Sequence, residues 1–400
     1  MPFTLYLLAL AVFAMGTSEF MLAGLVPDIA ADLGVDLGAT GLLTSAFAIG
    51  MVVGAPLMAG LARDWPIRSS LLGFLLLFLA AHIAGAVTGG FSVLVATRVV
   101  AAVANAGFLA VALTAAAALV PAGRQGRALA ILLGGTALAT VAGVPGGALL
   151  GAVLGWRAAF WALALLCLPA AAGVVLAGMP GRSGQTAAPD FRRELAQLRR
   201  PRLLAVMLLG ALVNAATFAS FTFLAPLVTG TGGFGAFWVP VVLVLFGGGS
   251  FAGVTVAGRL SDEYAAVVIA VGGPLLCGGW FALAVTADRP VALLVLVCVL
   301  GALSFGVGST LIARVLYEAA GAPTMAGSYA TAALNIGAAA GPALAGLALG
   351  SGWGDRGPMW LSGVLVGVAL LPALRFRAIF TGAATRQDDR AAVRARCIGR

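Results

Sequence analysis

The sequence predicts an all-α membrane protein with twelve transmembrane helices arranged as two pseudo-symmetric six-helix bundles. Three observations carry this expectation. First, 62% of the 400 residues are hydrophobic and only 9% are charged, far less charge than a soluble domain needs. Second, the apolar residues fall into repeated runs of ~20, the length that crosses a ~30 Å hydrocarbon core. Third, motifs of the first half recur in the second at one fixed spacing. The runs are continuous rather than alternating with period two, so helices are expected and not a barrel.

Bounded by charges, Pro or Gly, the expected spans are 3–27, 38–62, 69–88, 91–119, 128–151, 158–178, 203–228, 236–258, 265–286, 290–313, 326–350 and 358–374. The N-terminal stretch lacks the basic region of a signal peptide and is expected to remain as the first span. Residues 1–178 are then the N-terminal bundle, 179–202 a cytoplasmic linker, 203–374 the C-terminal bundle and 375–400 a basic cytoplasmic tail. The linker holds DFRRELAQLRR, which suits a short interfacial helix beside anionic lipid.

The net charge is +9, and all 23 basic residues are arginine. Their placement speaks for membrane topology and against nucleic acid as a partner. With a cytoplasmic N-terminus, nineteen fall in inner loops, linker and tail, against Arg157, Arg289 and Arg356 outside. Excess positive charge marks the cytoplasmic side, so both termini are expected there, in a bacterial inner membrane. Cys167, Cys277 and Cys298 fall in spans and Cys397 in the tail, without CxxC spacing. Neither a metal site nor a disulfide framework is indicated, and no cofactor is expected.

The repeat is explicit. Gly60 and Asp64 close the second span, and Gly258 and Asp262 close the eighth, each pair 198 positions apart. The same offset joins Gly143 to Gly341. Duplicated halves suit a transporter whose substrate sits near the midplane while one half rocks against the other.

These residues carry a family resemblance. GLARDWPIR at 60–68 resembles the loop signature Gly-x-x-x-Asp-(Arg)-x-Gly-Arg of the major facilitator superfamily, matching at Gly60, Asp64 and Arg68. GRLSD at 258–262 resembles its second-half copy, and Arg98 resembles the intramembrane arginine of the fourth-helix motif. AGVPGGALLG at 142–151 resembles the fifth-helix motif of proton-coupled drug antiporters, with Val144 between Gly143 and Pro145. The opening 29 residues from LYLL to AADL, GWRAAFW at 155–161 and GSYATAALNIGAAAGP at 327–342 resemble actinobacterial chloramphenicol-resistance exporters of the twelve-span drug:proton antiporter family. The resemblance implies the major facilitator fold and proton-driven efflux of chloramphenicol or similar amphiphiles, conferring resistance, with one chain as the functional unit.

Ionisable residues within spans are rare and expensive, so each is a candidate functional group. Glu19 lies ~12 Å along the helix from the outer end of span one, and Arg98 ~11 Å deep in span four. At such similar depth they suit a pair, direct or bridged by water. Glu19 is the expected proton carrier, because alternating between a dry and a wet or Arg-paired environment lets a carboxylate take up and release a proton. A fixed neutralised pair that only orients two spans is the structural alternative. His82, the only histidine, reads as a packed or interfacial residue rather than a relay.

Gly60 and Gly258 permit close backbone approach. The resemblance makes Asp64 a latch of the inner gate with Arg68 as its partner, and Asp262 the second-half copy. Pro145 and Pro342 each remove a backbone donor inside a span, and Gly143, Gly147 and Gly341 allow bending and close packing, so spans five and eleven are expected gating helices. For a drug cavity the expected polar handles are Asn105, Asn214, Thr217, Tyr329 and Asn335, with Met21, Phe218 and Phe221 as apolar walls.

No GxxxxGK[ST] phosphate loop suggests an ATP-driven pump, and no HExxH or Cys/His cluster suggests an enzyme. The expected partners are therefore a small drug, protons and the lipid bilayer. An exporter or facilitator of sugars or other metabolites is the alternative within transport, and a membrane enzyme or receptor is the alternative outside it.

Overall fold

A computed structural model describes residues 1–61, 65–121, 124–176, 194–322 and 325–375. They are helical almost throughout. In chain order the helices are α1 (Phe3–Phe20), α2 (Val26–Leu33), α3 (Gly41–Leu61), α4 (Ile67–Val87), α5 (Phe91–Ala118), α6 (Gln125–Leu138) and α7 (Val144–Leu154). There follow α8 (Trp156–Leu176), α9 (Pro201–Thr222), α10 (Leu224–Thr229), α11 (Trp238–Thr286), α12 (Pro290–Glu318), α13 (Ala326–Leu349) and α14 (Gly357–Arg375). Among the described residues, ten helices are long and apolar enough to cross a membrane.

Local chemistry sets the helix ends. Pro201 and Pro290 open α9 and α12, where the missing N–H has no intrahelical partner to lose. Gly34 stops α2 in the left-handed region at φ 62°, and Gly155, at φ 84°, separates α7 from α8. The long α11 contains a kink at Tyr264, φ −121° and ψ 27°, between the expected eighth and ninth spans.

Several expected spans are broken. The first runs as α1, a 3-10 turn Met21–Gly24 and then α2, with Leu25 at φ −113° and ψ −9°. The seventh breaks at Phe223, φ −107° and ψ 24°. Leu25 and Phe223 are 198 positions apart, the spacing of the sequence repeat. The fifth changes gauge: a π turn at Ala139–Gly143 joins α6 to α7, and the Val144 N–H reaches back to the Ala139 carbonyl. Pro145, one residue on, has no N–H to offer, which disfavours an unbroken α-helical ladder there.

Two large apolar cores result. One gathers residues between Leu5 and Val174 and the other mainly residues between Leu203 and Ala369, the latter also taking in Ala23, Val144 and Ala148. Large apolar side chains such as Leu76, Val93, Leu165, Val244, Leu275 and Val295 point outward. Lipid tolerates such a surface where water would not.

The halves meet along α3 and α13. The Ser45 hydroxyl donates to the Ala339 carbonyl at 2.6 Å. Gly41 lies so close to α13 that an added Cβ would sit 2.6 Å from the Pro342 carbonyl oxygen. Val26, Ala219, Phe223 and Ala345 form a small buried cluster beside this seam.

Candidate functional site

The most unusual buried group is Arg98, 1% exposed in the middle of an apolar bundle. Its Nη1 donates to the Ser18 hydroxyl at 2.8 Å and its Nη2 to the Ser18 carbonyl at 2.5 Å. The Phe47 ring of α3 lies under the guanidinium at 4.5 Å, a cation–π contact strengthened by the absence of water. The Ser18 hydroxyl also contacts His82 Nε2 at 2.8 Å, and His82 Nδ1 contacts the Phe78 carbonyl at 2.8 Å. Phe78 and Phe160 pack on the imidazole, with ring centroids at 4.0 and 5.7 Å. Helices α1, α4 and α5 thus share one hydrogen-bonded array, with rings from α3 and α8 packed against it.

Glu19 is the next residue after Ser18 and is half-buried. Its charge and that of Arg98 are within interacting range. They form no salt bridge with each other: the guanidinium is bound one residue earlier, to Ser18. His82 is packed, as its apolar surroundings suggest, but it is also part of this array. A hydrogen bond between positions 64 apart leaves no periodic trace; the available signal was that a lone polar side chain in an apolar span needs a partner.

Phe20, next along the chain, lines a narrow, nearly closed aromatic crevice at the seam between the halves. Thr140, Thr217, Phe218, Phe221, Phe246, Gly247, Ser250 and Phe305 complete its wall. The rings touch in series: Phe20 to Phe218 at 5.6 Å, Phe218 to Phe221 at 6.3 Å, Phe221 to Phe246 at 4.8 Å and Phe246 to Phe305 at 6.2 Å. The π turn places Thr140 there, where its carbonyl packs against Gly247. Thr217, Phe218 and Phe221 were expected from sequence; Phe20, Thr140, Phe246, Ser250 and Phe305 were not.

The other expected binding residues lie elsewhere. Met21 is fully buried in the first core. Asn105 contacts the Met51 sulfur at 3.7 Å. Asn214 donates to the Leu334 carbonyl at 2.7 Å and Asn335 to the Thr331 carbonyl at 3.0 Å. The Tyr329 hydroxyl donates to the Glu194 carbonyl at 2.8 Å, beside the Glu194 carboxylate that accepts the Met325 N–H at 2.8 Å.

Among the expected gating residues, Gly143 packs on Thr17 of α1 and Gly341 on the Ala215 carbonyl of α9. Gly147 faces Met21 at van der Waals distance, and Pro145 and Pro342 are buried inside α7 and α13. Arg68 donates to the Val175 carbonyl near the end of α8 at 2.6 Å. Gly258 has open space around it. Gly60 and Asp262 lie in helical backbone, and Asp64 is outside the described residues.

A polytopic helical protein with an internal repeat, an intramembrane Arg array and a crevice between its halves has the plan of a secondary transporter. A sequence model of the Major Facilitator Superfamily matches residues 8–333, and the chain belongs to this family. It is a multi-pass membrane protein of the transporter class. Among individual relatives, it is 71% identical over 392 residues to a chloramphenicol resistance protein of Streptomyces lividans, covering 98% of this chain and 100% of the relative. It is 31% identical to the inner membrane transport protein YdhP of Escherichia coli K12, covering 92% and 94% of the two chains. A crystal structure of a bacterial homolog of the human lysosomal transporter Spinster, inward-facing and unoccupied, shares the fold with a TM-score of 0.70 at 17% identity, over 92% of this chain and 94% of that one.

Proposed function

We propose that the protein exports chloramphenicol or related small amphiphilic drugs in exchange for protons, by alternating access, and so confers resistance. Twelve spans form the two six-helix bundles, 1–178 and 203–374, joined by the cytoplasmic linker 179–202, with both termini and the tail 375–400 in the cytoplasm. One chain is the transporting unit.

The observation that carries this reading is the adjacency of Ser18, Glu19 and Phe20. Ser18 holds Arg98, Glu19 is the carboxylate within range of that arginine, and Phe20 lines the crevice. A drug that displaces Phe20 therefore acts on the turn that presents Glu19. Proton loss from Glu19 changes the attraction on Arg98 and so the packing of α1 against α3, α4 and α5. Coupling by this route requires only that the drug and the proton prefer different arrangements of one turn.

The crevice chemistry suits an aromatic, mostly neutral drug. Five phenylalanine rings supply dispersion and edge-to-face contacts, and Thr140, Thr217 and Ser250, whose hydroxyl hydrogens go to backbone carbonyls, keep oxygen lone pairs that accept from a few polar hydrogens. A sugar needs far more hydrogen-bonding partners than three hydroxyls, which places the metabolite reading second. The strong similarity to the Streptomyces resistance protein supports the same substrate.

The test is accumulation of labelled chloramphenicol in cells with and without the protein. Expressing cells are expected to hold less drug, and an uncoupler is expected to abolish the difference. Equal accumulation in expressing and empty cells contradicts the assignment.

A further inference from the structure

The hydrogen-bond directions around Arg98 are determined by elementary valence. The Phe78 carbonyl only accepts, so His82 Nδ1 carries a hydrogen toward it at 2.8 Å. In the neutral imidazole Nε2 is then an acceptor, and the Ser18 hydroxyl donates to it at 2.8 Å. With its hydrogen so directed, the Ser18 oxygen presents lone pairs to Arg98 Nη1, 2.8 Å away. A proton on Nε2 would reverse the Ser18 bond and set a second cation against the guanidinium. The array is therefore built for a neutral histidine, which argues against His82 itself carrying the transported proton.

Arg98 is faced by Ser18 from α1, Phe47 from α3 and His82, through Ser18, from α4. Its Nε–H is buried without an acceptor among the described residues, so the guanidinium keeps a donor to offer. Glu19, next to Ser18 on α1, is the carboxylate whose charge acts on Arg98. An arginine seated directly on a carboxylate favours the charged form strongly enough to shift proton occupancy by about tenfold or more. A carrier pinned in that way would load a proton about tenfold less readily.

The equivalent positions of the second half sharpen the point. Ser18, His82 and Arg98 correspond, 198 positions on, to Ala216, Trp280 and Leu296. The duplicated scaffold folds without any of the three, so packing alone does not demand them.

We propose that His82 and Ser18 are positioning residues that hold Arg98 away from Glu19 and thereby leave Glu19 free to take up a proton. The proposal rests on Glu19 being the carrier of the exchange described above. His82 fixes the Ser18 hydroxyl, the hydroxyl and carbonyl of Ser18 fix Arg98, and loss of either link lets the guanidinium close on Glu19.

The test reads Glu19 directly and needs no drug. A hydrophobic carbodiimide, N,N′-dicyclohexylcarbodiimide, reacts with protonated carboxyl groups, and Glu19→Gln defines the background. In the purified full-length protein, His82→Leu and Ser18→Ala are expected to lower labelling of Glu19 by about tenfold. His82→Gln, whose amide oxygen restores an acceptor for Ser18, is expected to retain labelling near the wild-type level, which a merely space-filling role would not produce. Wild-type labelling in both His82→Leu and Ser18→Ala overturns the proposal. So does equal loss in His82→Leu and His82→Gln. Failure of chloramphenicol export in cells, with the labelling pattern intact, overturns the functional reading alone.

Discussion

The two halves match in where their first spans break and differ in what they bury. Leu25 and Phe223 interrupt the first helical span of each half at matching positions. At one end of each half, an arginine after a short loop donates to the carbonyl near the end of an earlier helix: Arg157 to Thr88 at 2.9 Å and Arg356 to Val285 at 3.3 Å. Yet where the first half holds Ser18, Glu19, His82 and Arg98, the second holds Ala216, Thr217, Trp280 and Leu296. Trp280 is 2% exposed, and its indole N–H has no partner among the described residues. One half has become an ionisable array and the other an aromatic wall. Phe218, Phe221 and Phe246 of the wall touch Phe20 of the array's own helix or its neighbours in the crevice. On the function proposed above, the first half handles the proton, and the second supplies most of the crevice wall beside Phe20 and Thr140.

The largest break in this comparison is expected at matched positions. Arg98→Met should lower proton-driven export by about 100-fold, the range of a strong coupling energy, while Leu296→Met should stay within about twofold. Efflux of labelled chloramphenicol under an imposed proton gradient separates the two. Similar losses at both sites would mean that the halves are not specialised.

Substrate contacts should behave in the opposite sense. Phe246→Leu removes a ring that packs tilted on Phe221 and edge-to-face with Phe305, and is expected to raise the apparent KM for chloramphenicol up to about tenfold with turnover retained. A turnover loss without a KM change would move Phe246 from the wall to the coupling path.

At the seam, Gly41→Ala places a methyl 2.6 Å from the Pro342 carbonyl oxygen and 2.9 Å from the Phe223 ring. Export should fall several-fold while the drug still binds, because the wedge opposes closure of α3 on α13 rather than occupying the crevice. Binding and transport measured on the same preparation check this.

The smallest effect is expected at the surface. Asp32 accepts from Arg157 and from Trp156 Nε1, and these bonds, chiefly that from Arg157, hold its carboxyl below the usual carboxylate range. A depressed value in the folded state means that the bond stabilises above the ordinary carboxylate value, ~3.9, and is lost as pH falls through the folded one. Thermal scans should therefore show Asp32→Asn slightly less stable than wild type at neutral pH, with the gap closing only in strong acid. Arg157→Ala should cost more than Arg356→Ala, because Arg157 also lies over the Trp156 ring at 4.3 Å. Exposed pairs contribute little, so both shifts are small.

Much of this was legible in the sequence, and the reasons are physical. Apolar runs longer than a bilayer is thick can hardly be anything but helices in lipid. Glu19 and Arg98 stand out because an ionisable group there is costly. Broken spans were partly legible: Pro145 announces an irregularity, but nothing in ATVAG specifies a π turn. The partner of Arg98 was not legible, since Ser18 and Glu19 on α1 and His82 on α4 lie on helices other than its own, and only packing decides how those helices are rotated. Phe246 and Phe305 escaped for a related reason, because a ring facing lipid and a ring facing a crevice look alike in sequence. Asn214 and Asn335 look like substrate handles, yet in this structure both bond to backbone carbonyls, as polar groups in spans often do.

Glu19 is the residue proposed to link proton movement to drug movement. Purified protein in liposomes carrying an internal pH dye tests this most directly when chloramphenicol is added across a proton gradient. Wild type should show drug-dependent proton movement, and Glu19→Gln should show none while still exchanging labelled drug down its own gradient. Drug-dependent proton movement at the wild-type rate in Glu19→Gln would contradict the account.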